Sequence, residues 1–272
     1  DRLEKNPHLH DKIEFEVVFT AYDFSFEKNF NQRYPNILSK EEFLQYKGAL
    51  RDITKKAIKN TKTSSLNQAL NKIDILKKRQ SSAKHLCLAN DPFALSDHIN
   101  TLLAECIEYG TIPFAIIARH GFIAESLMRS AVSNGLITKN RVDAFKRSVK
   151  TIASDMNKDY ENVRSGKLSI EKFNSIYGHL RPSSYDILSP SYRNRKDLFS
   201  GIVQKQSKTG RFVISNKERQ NINIMLLEHE FDSTNADDLF MYAKKSIIGR
   251  EYAKFIFTKH LSNIIEYIAD WG

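Results

Sequence analysis

Apolar residues recur at intervals of three and four along most of this chain, and that period belongs to an α-helix burying one stripe of its surface. Phe43, Tyr46, Leu50, Ile53 and Ala57 form one such stripe. It opens on Ser39-Lys40-Glu41-Glu42, a capping box in which the Ser hydroxyl and the Glu42 carboxylate satisfy the orphan amides of a first turn. Further helices are predicted over about 66–80 and 95–109, and another from Thr111, read as an N-cap with Pro113 inside the first turn, to Ser133. Val142, Phe145, Val149, Ile152 and Met156 continue one stripe on the next helix, and Ser169–Tyr177 is short. Ser215-Asn216-Lys217-Glu218 is a second capping box, opening a helix through about Glu230, and Asn235 caps a long helical end. With only 10 glycines and 6 prolines in 272 residues, there is little material for the tight turns of an all-β fold. The hydrophobic share of 41% is ample for a sizeable core.

One segment breaks the helical period. Ile13, Phe15, Val17 and Phe19 alternate with Glu14, Glu16 and Val18, the pattern of a strand over 12–21. Tyr22, Phe24, Phe26, Phe30 and Tyr34-Pro35 come next as an irregular connector packed by its rings. The fold class is therefore mainly α: a multi-helix domain with a short N-terminal strand and one long irregular segment, about 178–212. A stretch of that length without helical period is more often functional than incidental.

The charge of +10 suggests a polyanion partner, but its distribution does not select one. Lys55-Lys56 and Lys77-Lys78-Arg79 lie away from the apolar stripes and read as solvated faces, and no nucleic-acid motif accompanies them. A helical module binding a polyanion, or a structural spacer, stays open as an alternative. No apolar run of 18 or more residues and no signal peptide are recognised, so the expectation is a cytoplasmic protein with no membrane partner. Cys87 and Cys106 are read as two reduced thiols rather than a disulfide framework. The start at Asp1 and the helical end at Trp271-Gly272 are read as those of a segment from a longer polypeptide.

The densest polar constellation is Tyr177-Gly178-His179-Leu180-Arg181-Pro182-Ser183-Ser184-Tyr185-Asp186-Ile187. Arg181 offers a planar fork of donors for an anion, Asp186 can receive an ammonium, and His179, Ser184 and Tyr185 add polar groups. The same residues also suit a plain helix C-terminus, with Gly178 at the cap and Pro182 as the stop. Arg119, on the most apolar helix, either binds a carboxylate or phosphate or holds an internal partner such as Glu125 or Asp186; His120 beside it reads as satisfied or exposed. Glu14 and Glu16 share one strand face, where they suit Mg²⁺ or equally a solvent-facing edge. His8-Leu9-His10-Asp11 reads as a surface turn. No Gly-rich nucleotide loop and no Gly-x-Ser-x-Gly elbow is present.

Four segments, 6–16, 111–119, 177–187 and 250–262, together resemble the middle region of phosphotransferases related to phosphoenolpyruvate synthase and pyruvate phosphate dikinase. The Gly178-His179-Leu180-Arg181-Pro182…Tyr185-Asp186-Ile187 element carries most of that likeness. It departs from the Gly-His-Arg-Gly of phosphoenolpyruvate synthases and is closer to the branch that phosphorylates L-glutamine. The resemblance implies that residues 1–36 end an ATP-grasp region and that 37–272 form a helical acceptor-binding and linker domain. The ATP-grasp body and the phosphohistidine domain would be partners elsewhere in the same polypeptide. It implies ATP and Mg²⁺ as cofactors of the whole enzyme, with Glu14 and Glu16 towards the metal and none bound tightly by this segment. L-glutamine would be the small-molecule acceptor, met by His179, Arg181, Ser184, Tyr185, Asp186 and Arg119. No Gly-Gly-x-x-Ser/Ala-His carrier motif occurs, so the segment is expected to bind the acceptor without completing the reaction alone.

Overall fold

The computed structural model describes residues 19–59, 61–82, 92–181, 189–195, 197–199 and 210–271. It is mainly helical, and no strand occurs among the described residues. The strand expected over 12–21 is not supported: its end at Phe19 and Thr20 has no regular structure, and 12–18 lie outside the described residues. The expected irregular segment is described only at 178–181, 189–195, 197–199 and 210–212, where its one helical element is the short 3₁₀ turn Tyr192–Asn194.

The helices are α1 (Phe26–Arg33), α2 (Lys40–Ile58), α3 (Ser65–Ser82), α4 (Pro92–Glu105), α5 (Ile112–Ser133), α6 (Lys139–Ser148), α7 (Ile152–Arg164), α8 (Ile170–Tyr177), α9 (Asn216–Glu228) and α10 (Ala236–Trp271). They form two compact units. Unit 1 is Asp1–Ser64, Arg119–Ser148 and Arg211–Ser246; unit 2 is Ser65–Ala118, Val149–Gly210 and Ile247–Gly272. The chain passes between units inside α5 and α10, so each of these helices contributes residues to both.

Unit 1 is built around aromatic rings from the expected connector, part of which winds into α1. Tyr22, Phe24, Phe26 and Phe30 are all buried. Phe26 stacks on Phe43 of α2, with ring centroids 6.2 Å apart, and Phe30 meets Phe43 and Tyr46 at 5.2 and 5.6 Å. The capping box at Ser39 and Glu42 forms as expected, and the expected face of α2 packs inward except at Ile53. Ile53 is 46% exposed, while Leu50, Thr54, Ala57 and Ile58 are buried. Thr54 lies inside because its hydroxyl accepts the Tyr22 backbone N–H at 2.9 Å and donates to the Leu50 carbonyl at 2.9 Å. A satisfied hydroxyl is thereby placed where an apolar residue would be expected. The second capping box also forms: Ser215 accepts from the Glu218 N–H, and the Glu218 carboxylate accepts from the Ser215 N–H at 2.8 Å.

The helix ends show why few glycines suffice. At the end of α5 the Gly135 N–H donates to Val132 and the Leu136 N–H to Ala131, with Gly135 at φ 71°, a Schellman ending. The end of α9 repeats this arrangement with Glu230 at φ 61° in the left-handed position.

Unit 2 corrects two expected boundaries. Thr111 is not an N-cap, because Cys106–Thr111 is a π-helical turn that joins α4 to α5 without a break. Pro113 has no N–H and would collide with the carbonyl four residues back in a regular helix, and the wider turn just before it accommodates the ring. The continuous run Phe93–Ser133 holds an 18-residue window of mean hydropathy 1.4, by length and composition enough to cross a membrane, with 28% of that window buried in the protein itself. The separate helices expected over 95–109 and 111–133 are thereby one continuous helical run. The stripe from Val142 to Met156 is likewise split: α6 stops at Ser148 and Thr151 starts α7 through reciprocal bonds with Ser154. Leu95, Ile99, Leu102, Cys106, Phe257 and Ile264 form one buried cluster of this unit. Tyr160, Phe173, Tyr177, Phe199 and Phe255 form a set of ring contacts beside α8.

Candidate functional site

The 178–195 segment belongs to unit 2, and its described ends are fastened to one another. Ser169 caps α8 by accepting the Lys172 N–H. The helix ends at Gly178, whose N–H donates to Asn174 O at 2.9 Å. A Cβ at Gly178 would collide with that same carbonyl oxygen, so glycine is required by space rather than by a positive φ. The returning strand of chain is held by two backbone bonds, Tyr192 N–H to Leu180 O at 2.7 Å and Arg193 N–H to Gly178 O at 3.1 Å. Arg181 closes the loop, donating from Nη1 to the Ser189 carbonyl at 2.6 Å.

Four buried polar atoms at this junction have no hydrogen-bond partner among the described residues: His179 Nε2, Arg181 Nε, Ser191 Oγ and Ser262 Oγ. Such atoms are scarce in folded proteins because each forfeits its hydration without replacement. His179, Arg181 and Ser262, with Leu180, Thr258 and Ile265, line a cavity of about 10 Å³. That is the room of about one water. Three of these residues, His179, Arg181 and Ser262, line that one cavity and mix donors with groups able to donate or accept, so together they can bond a polar group of about that size.

His179 is 5% exposed and sits edge-on to the Phe255 ring at 4.7 Å. Burial, reinforced by the Lys259 charge, brings its pKa down to about 4, against a weaker opposing pull from the Phe255 and Ile176 backbone. The ring is therefore neutral near pH 7 and presents Nε2 as a neutral donor or acceptor. Below it, the Tyr177 hydroxyl donates to Asp159 Oδ2 at 3.0 Å, and burial together with that carboxylate raises the phenol pKa.

Of the six residues expected to meet an acceptor, His179 and Arg181 lie together here, while Ser184, Tyr185 and Asp186 fall outside the described residues. Arg119 belongs to unit 1. Its side chain is exposed and donates from Nη2 to the Thr20 carbonyl at 3.0 Å, and Glu125 pairs instead with Lys146 at 2.7 Å. An exposed guanidinium on an apolar helix costs little, and so no buried counter-ion is required. His120 is buried and meets the Tyr242 hydroxyl through Nδ1 at 2.9 Å. Glu14 and Glu16 lie outside the described residues, as do His8, His10 and Cys87; Cys106 is a free, buried thiol. Among the described residues no group of three His, Cys, Asp or Glu side chains is placed to hold a metal.

Three members of the site escaped the sequence reading: Ser191, Thr258 and Ser262. The last two carried a signal. They stand four apart on α10, hence on one face, amid the apolar Ile256, Phe257 and Ile264. Polar residues on an otherwise buried face call for partners.

Comparison of the chain with protein-family models, with curated proteins and with solved structures finds no match.

Proposed function

We propose that this chain is the acceptor-binding and linker region of a multidomain ATP-dependent phosphotransferase of the phosphoenolpyruvate synthase type, with L-glutamine as the acceptor. The overall reaction would be ATP + L-glutamine + H₂O giving AMP, phosphate and L-glutamine phosphate, through a phosphohistidine on a domain beyond this segment. ATP and Mg²⁺ belong to the nucleotide-binding part of that enzyme, with Glu14 and Glu16 as its metal-side contribution from this chain, and no step assigned to the described residues runs through them.

The observation that carries the reading is the cluster of unsatisfied buried atoms around Arg181. A site made only to end a helix would satisfy its polar groups from within, whereas this junction leaves an arginine N–H, an imidazole nitrogen and two hydroxyls without partners among the described residues. Arg181 has one edge spent on Ser189 and its Nε–H without a partner among the described residues, so it is the group assigned to an acceptor carboxylate, which would have to widen a cavity that has room for about one water. His179, neutral near pH 7, adds a polar contact that brings no charge. Asp186 is assigned to the ammonium, and Ser184 and Tyr185 to the amide end.

Isothermal titration of the chain with L-glutamine tests this. A saturable heat that Arg181→Ala abolishes is expected. No heat with L-glutamine or other small amino-acid acceptors, or binding unchanged in Arg181→Ala, would remove the assignment.

A further inference from the structure

Unit 1 contains a second and much larger cavity, of about 360 Å³, whose lining lies wholly within that unit. Its size falls within the range of about 300–1,000 Å³ occupied by small-molecule sites. Three cationic side chains line it: Lys28 and Arg33 from α1 and Arg129 from α5. All three are exposed, and the Arg33 guanidinium is steadied over the Phe19 ring at 5.4 Å from its centroid. Among the described residues of the lining, the carboxylate counterpart is Asp23 alone. Over the described lining residues cations therefore outnumber carboxylates three to one.

The wall is also rich in hydroxyls and amides. Ser25, Ser126, Ser130, Ser133, Asn29 and Asn134 contribute to it, and several are linked to one another. Ser25 Oγ meets Ser133 Oγ at 2.9 Å and accepts from Asn134 Nδ2 at 2.9 Å. This network has a cost at the start of α1. Ser25 occupies the N-cap position, yet its side chain makes no capping bond because it is turned to Ser133 and Asn134. The opening turn of α1, which also brings Lys28 and Asn29 into the lining, lacks the side-chain acceptor that an N-cap serine ordinarily supplies.

Asp23 gives the cavity a second pole. Its Oδ1 accepts from the Ser25 N–H at 2.9 Å and its Oδ2 from the Ser126 hydroxyl at 2.5 Å, so the carboxyl is fixed and partly shielded by its own donors. It still has lone pairs to receive a further donor. A ligand matching both poles carries an anion at one end and a hydroxyl or ammonium at the other.

We infer that the unit 1 cavity is a binding site for a small phosphate monoester bearing a hydroxyl or amino group, held at its phosphoryl end by Lys28, Arg33 and Arg129 and at its donor end by Asp23. A phosphoryl dianion suits the site better than a single carboxylate: it offers three acceptor oxygens to a wall of donors and balances more of the positive charge. The site is separate from the Arg181 junction and does not depend on the function proposed for it.

The test uses O-phospho-L-serine and inorganic phosphate as probes, titrated calorimetrically into the chain at low salt. Both should bind saturably at one site, the ester more tightly. Lys28→Gln and Arg129→Gln should each raise the Kd about tenfold, the effect of losing one charge-assisted contact. Because both side chains are exposed, the variants should keep the wild-type circular dichroism spectrum. Arg181→Ala should leave phosphate binding unchanged, so failure of the L-glutamine titration and failure of this one can be told apart. Absence of saturable binding by either probe, or affinity indifferent to Lys28→Gln and Arg129→Gln in folded protein, would overturn the inference.

Discussion

Acidification should expose the cost of burying His179. Its pKa in the folded chain is about 4 against the ordinary 6.5, so the unfolded chain takes up the proton first as the pH falls. Stability contributed by the neutral ring is therefore complete above about pH 6.5 and drains away towards pH 4. At about pH 5 the unfolded ring is almost wholly charged and the folded ring still neutral, which corresponds to a loss of about 2 kcal/mol, rising to about 3 kcal/mol at the acid limit. Burial is the largest cause of the shift, and the 5% exposure of the residue leaves solvent little room to screen it. The assay is urea denaturation of wild type and His179→Phe at both ends of that window. Phenylalanine retains the ring contact with Phe255 and cannot titrate. Any fixed destabilisation by the substitution cancels, because only the change with pH is compared. His120, held down to about 4 by burial and the Arg119 charge, contributes its own slope in both proteins. Wild type should therefore lose about 2 kcal/mol more than the variant between pH 7 and pH 5. Equal losses would mean that His179 titrates like a solvated histidine, and the buried junction described around it would be wrong.

Two other substitutions probe separate physical effects. Arg141 meets both oxygens of Glu218 at 2.8 Å, donates to the Val213 carbonyl and lies 4.6 Å from the Phe212 ring centroid, and its hydrogen bond is the main reason the Glu218 pKa falls to about 2. Because both partners are partly solvated, Arg141→Ala should cost about 1–2 kcal/mol at low salt, a deficit that shrinks as the pH falls from the ordinary carboxylate range towards 2 and Glu218 is protonated in either state. Gly135→Ala and Gly178→Ala make a contrasting pair in thermal melts. A methyl at Gly135 meets open space and pays only for its left-handed backbone, about 1 kcal/mol, whereas one at Gly178 meets the Asn174 carbonyl and should cost more, about 2–3 kcal/mol. Equal costs would show that the backbone at Gly178 can yield.

The helices were legible because their causes are local. Ser39 with Glu42, and Ser215 with Glu218, satisfy amides within one turn, so the boxes formed where the spacing placed them. The hidden features depend on residues far apart in the chain. Ile53 belongs to the apolar stripe of α2, yet Thr54 is buried in its place because Tyr22, 32 residues earlier, donates to it. The break before α7 was visible in principle as Thr151-x-x-Ser154, a weaker pairing than Ser-x-x-Glu and overridden by the unbroken stripe on either side. At the candidate site, His179 and Arg181 stood out through their own chemistry. Ser191, Thr258 and Ser262 join them only through the tertiary fold. Asp23, Lys28 and Arg129 are ordinary surface-type residues in the sequence, and only the folding of α1 against α5 within unit 1 makes them walls of one cavity.

The π turn at Cys106–Thr111 makes chain length itself a structural variable. A π turn holds more residues than the α turn it replaces, and the surplus is absorbed without ending the helix. Its Gly110 lies so close that a methyl there would come within 3.2 Å of Leu76 and 3.4 Å of Phe257. Deleting one residue from the turn would restore an α-helical pitch and leave α5 close to its present rotation, whereas inserting one just beyond the turn would rotate the rest of α5 by about 100°, the angular step of a single residue. Ile117, wholly buried, would swing away from its contacts and its exposed neighbour Ile116 would swing in. Both are isoleucine, so hydrophobicity would barely register the error. At this point of the chain the number of residues matters more than their identity.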